Sequence, residues 1–148
     1  LPNPLGIENV VGLSKTTLTG PITNTVAVSK AVQAIKEKNF NPDTAIYSAT
    51  TQGVIDRLTN AVTGDPIKHF ESYNALYKVV SNQVTDEILV GDFKHLLMGI
   101  YKNITLDFST TDADSWNNYG ASFRVVARVD FAVTNKDAFV MIDGVTEA

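Results

Sequence analysis

His69 and His95 are the only two histidines in 148 residues. A zinc centre or a nucleophile relay would have to be assembled from them together with Asp or Glu. His95 follows Asp92 by three residues, so the two would share a face if that segment were helical. No Gly-x-Ser-x-Gly elbow accompanies them. Asp112-x-Asp114 looks like the opening of a calcium loop, yet Trp116 and Asn117 stand where that loop needs an oxygen donor and a glycine. Asn103-Ile104-Thr105 satisfies the glycosylation pattern, and neither phosphate-cradling glycine pattern occurs. With no cysteine there is no thiolate metal site, redox couple or cysteine nucleophile. No catalytic, metal-binding or cofactor-binding residue is assigned, and the expected protein is not an enzyme.

Composition narrows the class further. The chain is 44% hydrophobic and 19% charged, close to the globular average, and a domain this long removes roughly two thirds of its unfolded surface from water. Its formal charge of −4 and twelve scattered basic residues do not make the clustered cationic surface that phosphate backbones attract. No apolar run approaches the roughly 18–20 residues of a membrane span, and the start lacks a basic-then-apolar signal pattern. No membrane partner is expected. The chain opens Leu1-Pro2-Asn3-Pro4 without a methionine, which fits a fragment or a processed product.

The elements that must position any functional surface follow from periodicity. Residues 1–20 read as an extended lead-in with a strand near Thr16–Thr19. Val28, Ala31, Val32 and Ile35 recur at helical spacing after Thr23, Asn24 and Thr25, predicting a helix over Thr25–Lys38 that Asn41-Pro42 stops. Thr44–Ser48 reads as a buried strand. Thr50 and Thr51 are expected to cap a second helix with Val54, Ile55, Leu58 and Val62 on one stripe, ending at Gly64. Leu76–Val80 and Ile88–Val90 form a strand pair or a crossover, and Phe93–Ile100 fits either a strand or a helical turn. Ile104, Leu106 and Phe108 then alternate with polar residues. After a polar loop over 110–118, Phe123, Val125, Ala127, Val129, Phe131 and Val133 alternate with Arg124, Arg128 and Asp130. Period two over this length predicts long, half-buried strands joined as a hairpin, followed by a closing strand over Ala138–Ile142.

Gly91-Asp92-Phe93, the apolar run after it, a polar loop, Phe123-Arg124, Arg128-Val129-Asp130 and Ala138-Phe139-Val140 occur here in order. This series resembles the C-terminal signature of tailed-phage and prophage major capsid proteins, which have the Hong Kong-type capsid fold. Pro4-Leu5-Gly6-Ile7 and the helix, turn, strand, helix unit over 25–61 resemble the family's axial domain. The resemblance implies an α+β fold: an axial domain with a mixed sheet and two flanking helices, over about 1–103 and 133–148, plus long peripheral-domain strands over about 104–132. The family's N-terminal arm, extended loop and spine helix have no counterpart here, which implies a C-terminal portion. The implied function is a structural subunit that assembles through pentamers and hexamers into an icosahedral virion shell, inside the bacterial cytoplasm. Its implied partners are copies of itself, with scaffold and portal proteins, and the shell encloses double-stranded DNA without reading its sequence. Some family members weld subunits by a Lys–Asn isopeptide bond. Asn117 and Asn118 lie nearby, but Tyr119 holds the nearest matching position, so that role is not carried over.

For a shell subunit, contacts are broad and flat, with about 800 Å² buried per side, and aromatic and Arg anchors carry most of the energy. Trp116 and Tyr119, placed in a polar loop, are candidate inter-subunit anchors, the alternative being that they fold back on their own hairpin. Arg124, Arg128 and Asp130 share one strand face and can form an ionic ladder with a neighbouring strand, the alternative being a plain solvated face. Two other functions remain open at this stage. One is an encapsulin-like nanocompartment shell, which shares the fold and encloses enzyme cargo. The other is a small α+β ligand-binding or enzymatic domain.

Overall fold

The structure is a computed structural model that describes residues 6–18, 20–60, 62–111 and 116–145. Its first helix, α1 (Val26–Glu37), forms where the apolar stripe demands it: Val28, Ala31, Val32 and Ile35 are all buried. The Asn24 side chain accepts the Val26 amide at 3.0 Å, and Lys36 lies in the last turn, each satisfying or opposing the partial charge of a helix end. The helix stops earlier than the Asn41-Pro42 pair requires. Asn39 adopts a left-handed φ of 65°, a conformation asparagine tolerates better than most residues.

The second helix, α2 (Ala49–Asp56), is shorter than its sequence pattern predicts. Ser48, not Thr50 or Thr51, is the cap, its hydroxyl accepting the Thr51 amide at 3.1 Å. Val62 does not continue the stripe and is 93% exposed. The backbone of Leu58 and Asn60 is instead tied to the residues that follow by Ile67 N to Leu58 O, Asn60 N to Asp65 O and Gly64 N to Asn60 O bonds. The backbone bonds that extending α2 would make are thus taken up by a local loop. A one-turn helix, α3 (Glu71–Asn74), packs against α1.

Five strands, β1 (Ser14–Thr17), β2 (Thr44–Tyr47), β3 (Tyr77–Val80), β4 (Glu87–Gly91) and β7 (Phe139–Asp143), make one mixed sheet in the order β1-β7-β4-β2-β3. β3 and β4 do not pair with each other, so the choice left open by the sequence resolves to a crossover: β3 runs parallel to β2 on one side, and β4 runs antiparallel to it on the other. β4 and β7 at the centre are apolar almost without interruption, as strands buried on both faces must be. On one face Ala45, Tyr47, Ile88, Val90, Val140 and Ile142 pack under α1. On the other, Leu89, Phe139 and Met141 meet Leu13 and Ala138, with Ile7, Phe40 and Phe93 closing over them.

β5 (Leu96–Ser109) and β6 (Ser122–Val133) leave this body as a separate antiparallel two-stranded ribbon. At roughly 3.3 Å per residue, fourteen residues reach about 45 Å. The ambiguous run after Phe93 is therefore a 3₁₀ turn, Phe93–His95, feeding straight into β5. β5 begins at Leu96, well ahead of Ile104, where the alternation first becomes regular. The mixed sheet and long strands are those of the α+β architecture that the resemblance implies.

Candidate assembly surface

The ribbon is rooted by the Gly91-Asp92-Phe93 run. Gly91 pairs with Phe139, and a β-carbon at Gly91 would collide with the Phe139 ring. Only glycine lets the two strands approach with that ring lying between them. Asp92, buried, accepts the Lys94 amide at 3.3 Å and donates its own amide to Ala138 O at 2.9 Å. Phe93 sets its ring edge-on to Phe139 at 5.4 Å, and its amide is held by Asp43 Oδ1 at 3.3 Å. Across the root, His95 O accepts both the amide and the hydroxyl of Thr134, at 2.9 and 3.0 Å. Leu96 and Val133 still touch the core. Everything beyond them projects outward.

Past that root the ribbon has two unlike faces. Leu96, Met98, Ile100, Leu106 and Phe108 of β5 oppose Val133, Phe131, Val129, Val125 and Phe123 of β6. Two irregularities between Ile100 and Thr105 together add two residues to β5, so the even-numbered positions on both sides of them return to the same face. The apolar stripe therefore runs the length of the ribbon, ending in a Phe108–Phe123 ring pair at 5.2 Å. Nothing among the described residues covers it: Leu106, Phe108, Phe123 and Val125 are each more than 60% exposed. The half-buried strands that period two predicts are present as strands but not as burial. The burial that the alternation encodes is not supplied by the described residues, and an exposed apolar stripe of this extent is the mark of a contact surface.

The opposite face carries the charges. Arg124 bonds Asp107 Oδ2 directly across the ribbon through Nε and Nη2, at 3.2 and 2.9 Å. Both side chains are substantially exposed, so the rung contributes at most about 1 kcal/mol. Among the described residues the ladder goes no further. Arg128 lies opposite Lys102 and Asp130 opposite Gly99. Asp107 and Lys102, the partners that sequence reasoning passed over, are identifiable only once the register across the two irregularities is known. At the far end Trp116 and Tyr119, with Thr110 and Gly120, line an open depression of about 370 Å³. Trp116 is 72% exposed and Tyr119 fully so, so neither folds back onto the described part of the hairpin. Tyr119 takes a left-handed φ of 50°, unusual for a bulky residue and costing of order 1 kcal/mol.

The residues that could do chemistry are dispersed. Asp92 serves as a turn cap, while His95 Nδ1 meets the Thr134 hydroxyl at 3.2 Å and its ring stands edge-on to Phe40; the two do not form a pair. His69 packs against Tyr73 with its Nδ1 buried and without a partner among the described residues. The described residues contain no group of three or more His, Asp or Glu that could hold a metal, and no described helix is long and apolar enough to cross a membrane. Asp112 and Asp114 lie outside the described residues. In the core the Tyr47 and Tyr73 hydroxyls bond each other at 3.3 Å. Burial raises both above the usual tyrosine value of 10, and nearby Asp56 adds to each shift; the mutual bond raises Tyr73 and lowers Tyr47.

The fold recurs in solved phage structures and in a virus-like particle. The chain matches a structure from Mycobacterium phage Adephagia with a TM-score of 0.74 at 14% identity, covering 98% of this chain and 59% of that one. It matches one from Mycobacterium phage Bobi at 0.68 and 21% identity, covering 88% and 51%. A virus-like particle from Pyrococcus furiosus matches at 0.65 and 15% identity, covering 93% and 57%. The fold is thus the Hong Kong-type capsid fold, and the chain spans between half and three fifths of the solved chains it matches. The family model for the phage capsid family matches residues 2–144, and the chain belongs to that family. No curated protein matches.

Proposed function

We propose that this chain is the C-terminal part of a major capsid protein, a structural subunit and not an enzyme, which assembles with copies of itself into the shell enclosing phage double-stranded DNA. The observation that carries the reading is the long ribbon, apolar on one face and charged on the other, both exposed in the single chain. A protein that worked as a monomer would gain nothing from holding so much apolar surface in water.

In this reading the sheet body is the axial domain surrounding the capsomer axes of pentamers and hexamers, and the ribbon is the peripheral domain. We place the change between them at the Asp92–Leu96 and Val133–Ala138 root. Trp116, Tyr119, Arg124, Arg128 and Asp130 are the proposed subunit-contact residues. Two exposed aromatics at the ribbon tip, one with a strained backbone, are the kind of anchor that a neighbour's pocket desolvates. Assembly takes place in the bacterial cytoplasm, with scaffold and portal proteins as further partners, and the product resides in the virion. The acidic chain fits a wall that confines DNA without gripping it.

Electron microscopy of the full-length protein, expressed alone and with its scaffold, tests this. Closed shells, or rings of five and six subunits, are expected. A protein that stays monomeric at high concentration under both conditions would refute the proposal.

A further inference from the structure

The charged face of the ribbon holds one closed rung and one open one. Arg124 is matched by Asp107. Arg128 instead faces Lys102 across the ribbon, and like charges placed directly opposite are unfavourable. Among the described residues no carboxylate lies within 4.0 Å of either cation. Asp130, two residues from Arg128 on the same strand, faces Gly99, which offers it no side chain. One of its oxygens accepts the Phe131 amide at 2.9 Å, and the residue is otherwise exposed.

We infer that Arg128 and Lys102 together receive Asp130 of a second copy of this chain, and that the second copy's cations receive Asp130 in return. The pattern complements itself. Acid and base stand on one face roughly 6–7 Å apart along the strand. Two ribbons laid antiparallel with their charged faces opposed therefore bring each Arg128 against the other's Asp130, as a two-fold contact requires. Each carboxylate would then neutralise a pair of cations that repel one another, so the contact gains more than a single rim ion pair would. The inference rests on the shell-subunit reading and adds to it the identity of a contact.

Charge exchange in the full-length protein tests it, with assembly followed by light scattering against protein concentration and confirmed by microscopy. R128D and D130R should each raise the concentration needed for half-assembly by about tenfold or more. The double exchange R128D/D130R should restore assembly, as should equimolar mixing of the two single variants, because in the mixture each unlike pair is opposed again. Far-ultraviolet circular dichroism of each variant shows that the ribbon still folds, as expected for exposed positions. Singles that assemble like the parent would overturn the inference. So would a double exchange or a mixture that fails while the fold is intact. A parent protein that forms no shell counts against the shell-subunit reading itself and is distinguishable from either result.

Discussion

The sheet body and the ribbon both carry apolar strand residues, yet they settle their surface in opposite ways. In the body, β4 and β7 are buried on both faces, Phe139, Met141 and Ile142 completely so. In the ribbon, Leu106, Phe108, Phe123 and Val125 alternate with polar residues and remain open to water. The body is a finished fold whose stability is internal. The ribbon has no covering layer among the described residues, as the proposed shell contact would require. A strand's pattern records the surroundings it works in, and those need not belong to the same chain.

This contrast sets the order of the expected effects. Phe139→Ala removes the ring that packs Gly91, Phe93 and the second core layer together, and should lower unfolding free energy by about 3–5 kcal/mol in denaturant titrations. Gly91→Ala, which forces a methyl group into that ring, should cost about 1–3 kcal/mol. Comparable melts for Gly91→Ala and the parent would show that the root is looser than described.

The buried tyrosine pair offers a pH test of the body alone. Because the folded hydroxyls sit above the unfolded value of 10, the neutral forms are favoured in the fold. Stability is therefore unaffected by them below pH about 10 and falls as the pH rises beyond it, by up to about 1.4 kcal/mol per pH unit for each tyrosine. Tyr73→Phe should flatten that alkaline fall in unfolding titrations. An unchanged slope would place the cause in other groups.

Smallest of all should be the effect of Leu106→Ser on the chain's own stability, within about 0.5 kcal/mol, since the side chain is already exposed. The same change in the full-length protein should impair shell formation. A loss of several kcal/mol in the isolated chain would mean that the ribbon's apolar face is internally buried after all.

Much of the body was legible in the sequence, because its cues are local. The Val28-Ala31-Val32-Ile35 stripe marks α1 to within a residue at each end. Thr44–Ser48 contains β2, and Ala138–Ile142 overlaps β7. α2 was misjudged because Leu58 and Val62 keep helical spacing while Leu58 and Asn60 bond forward to Ile67 and Asp65 instead of continuing the helix. The strand order was not legible, since β2 takes both its neighbours from later in the chain. In the ribbon the alternation revealed the strands and named Arg124, Arg128 and Asp130. Cross-strand partnership, by contrast, depends on irregularities near Lys102 that have no residue signature. Asp107 was visible as an alternating polar residue, but its match to Arg124 was not.

The central claim is that the ribbon is completed by assembly, and hydroxyl-radical footprinting tests it most directly. Oxidation of Met98, Phe108, Trp116 and Phe123 would be compared between this chain alone and the full-length protein in shells. Strong labelling of the chain alone, reduced severalfold in shells, with Phe139 and Met141 protected in both, is the predicted result. Equal labelling of the ribbon residues in the two states would contradict it.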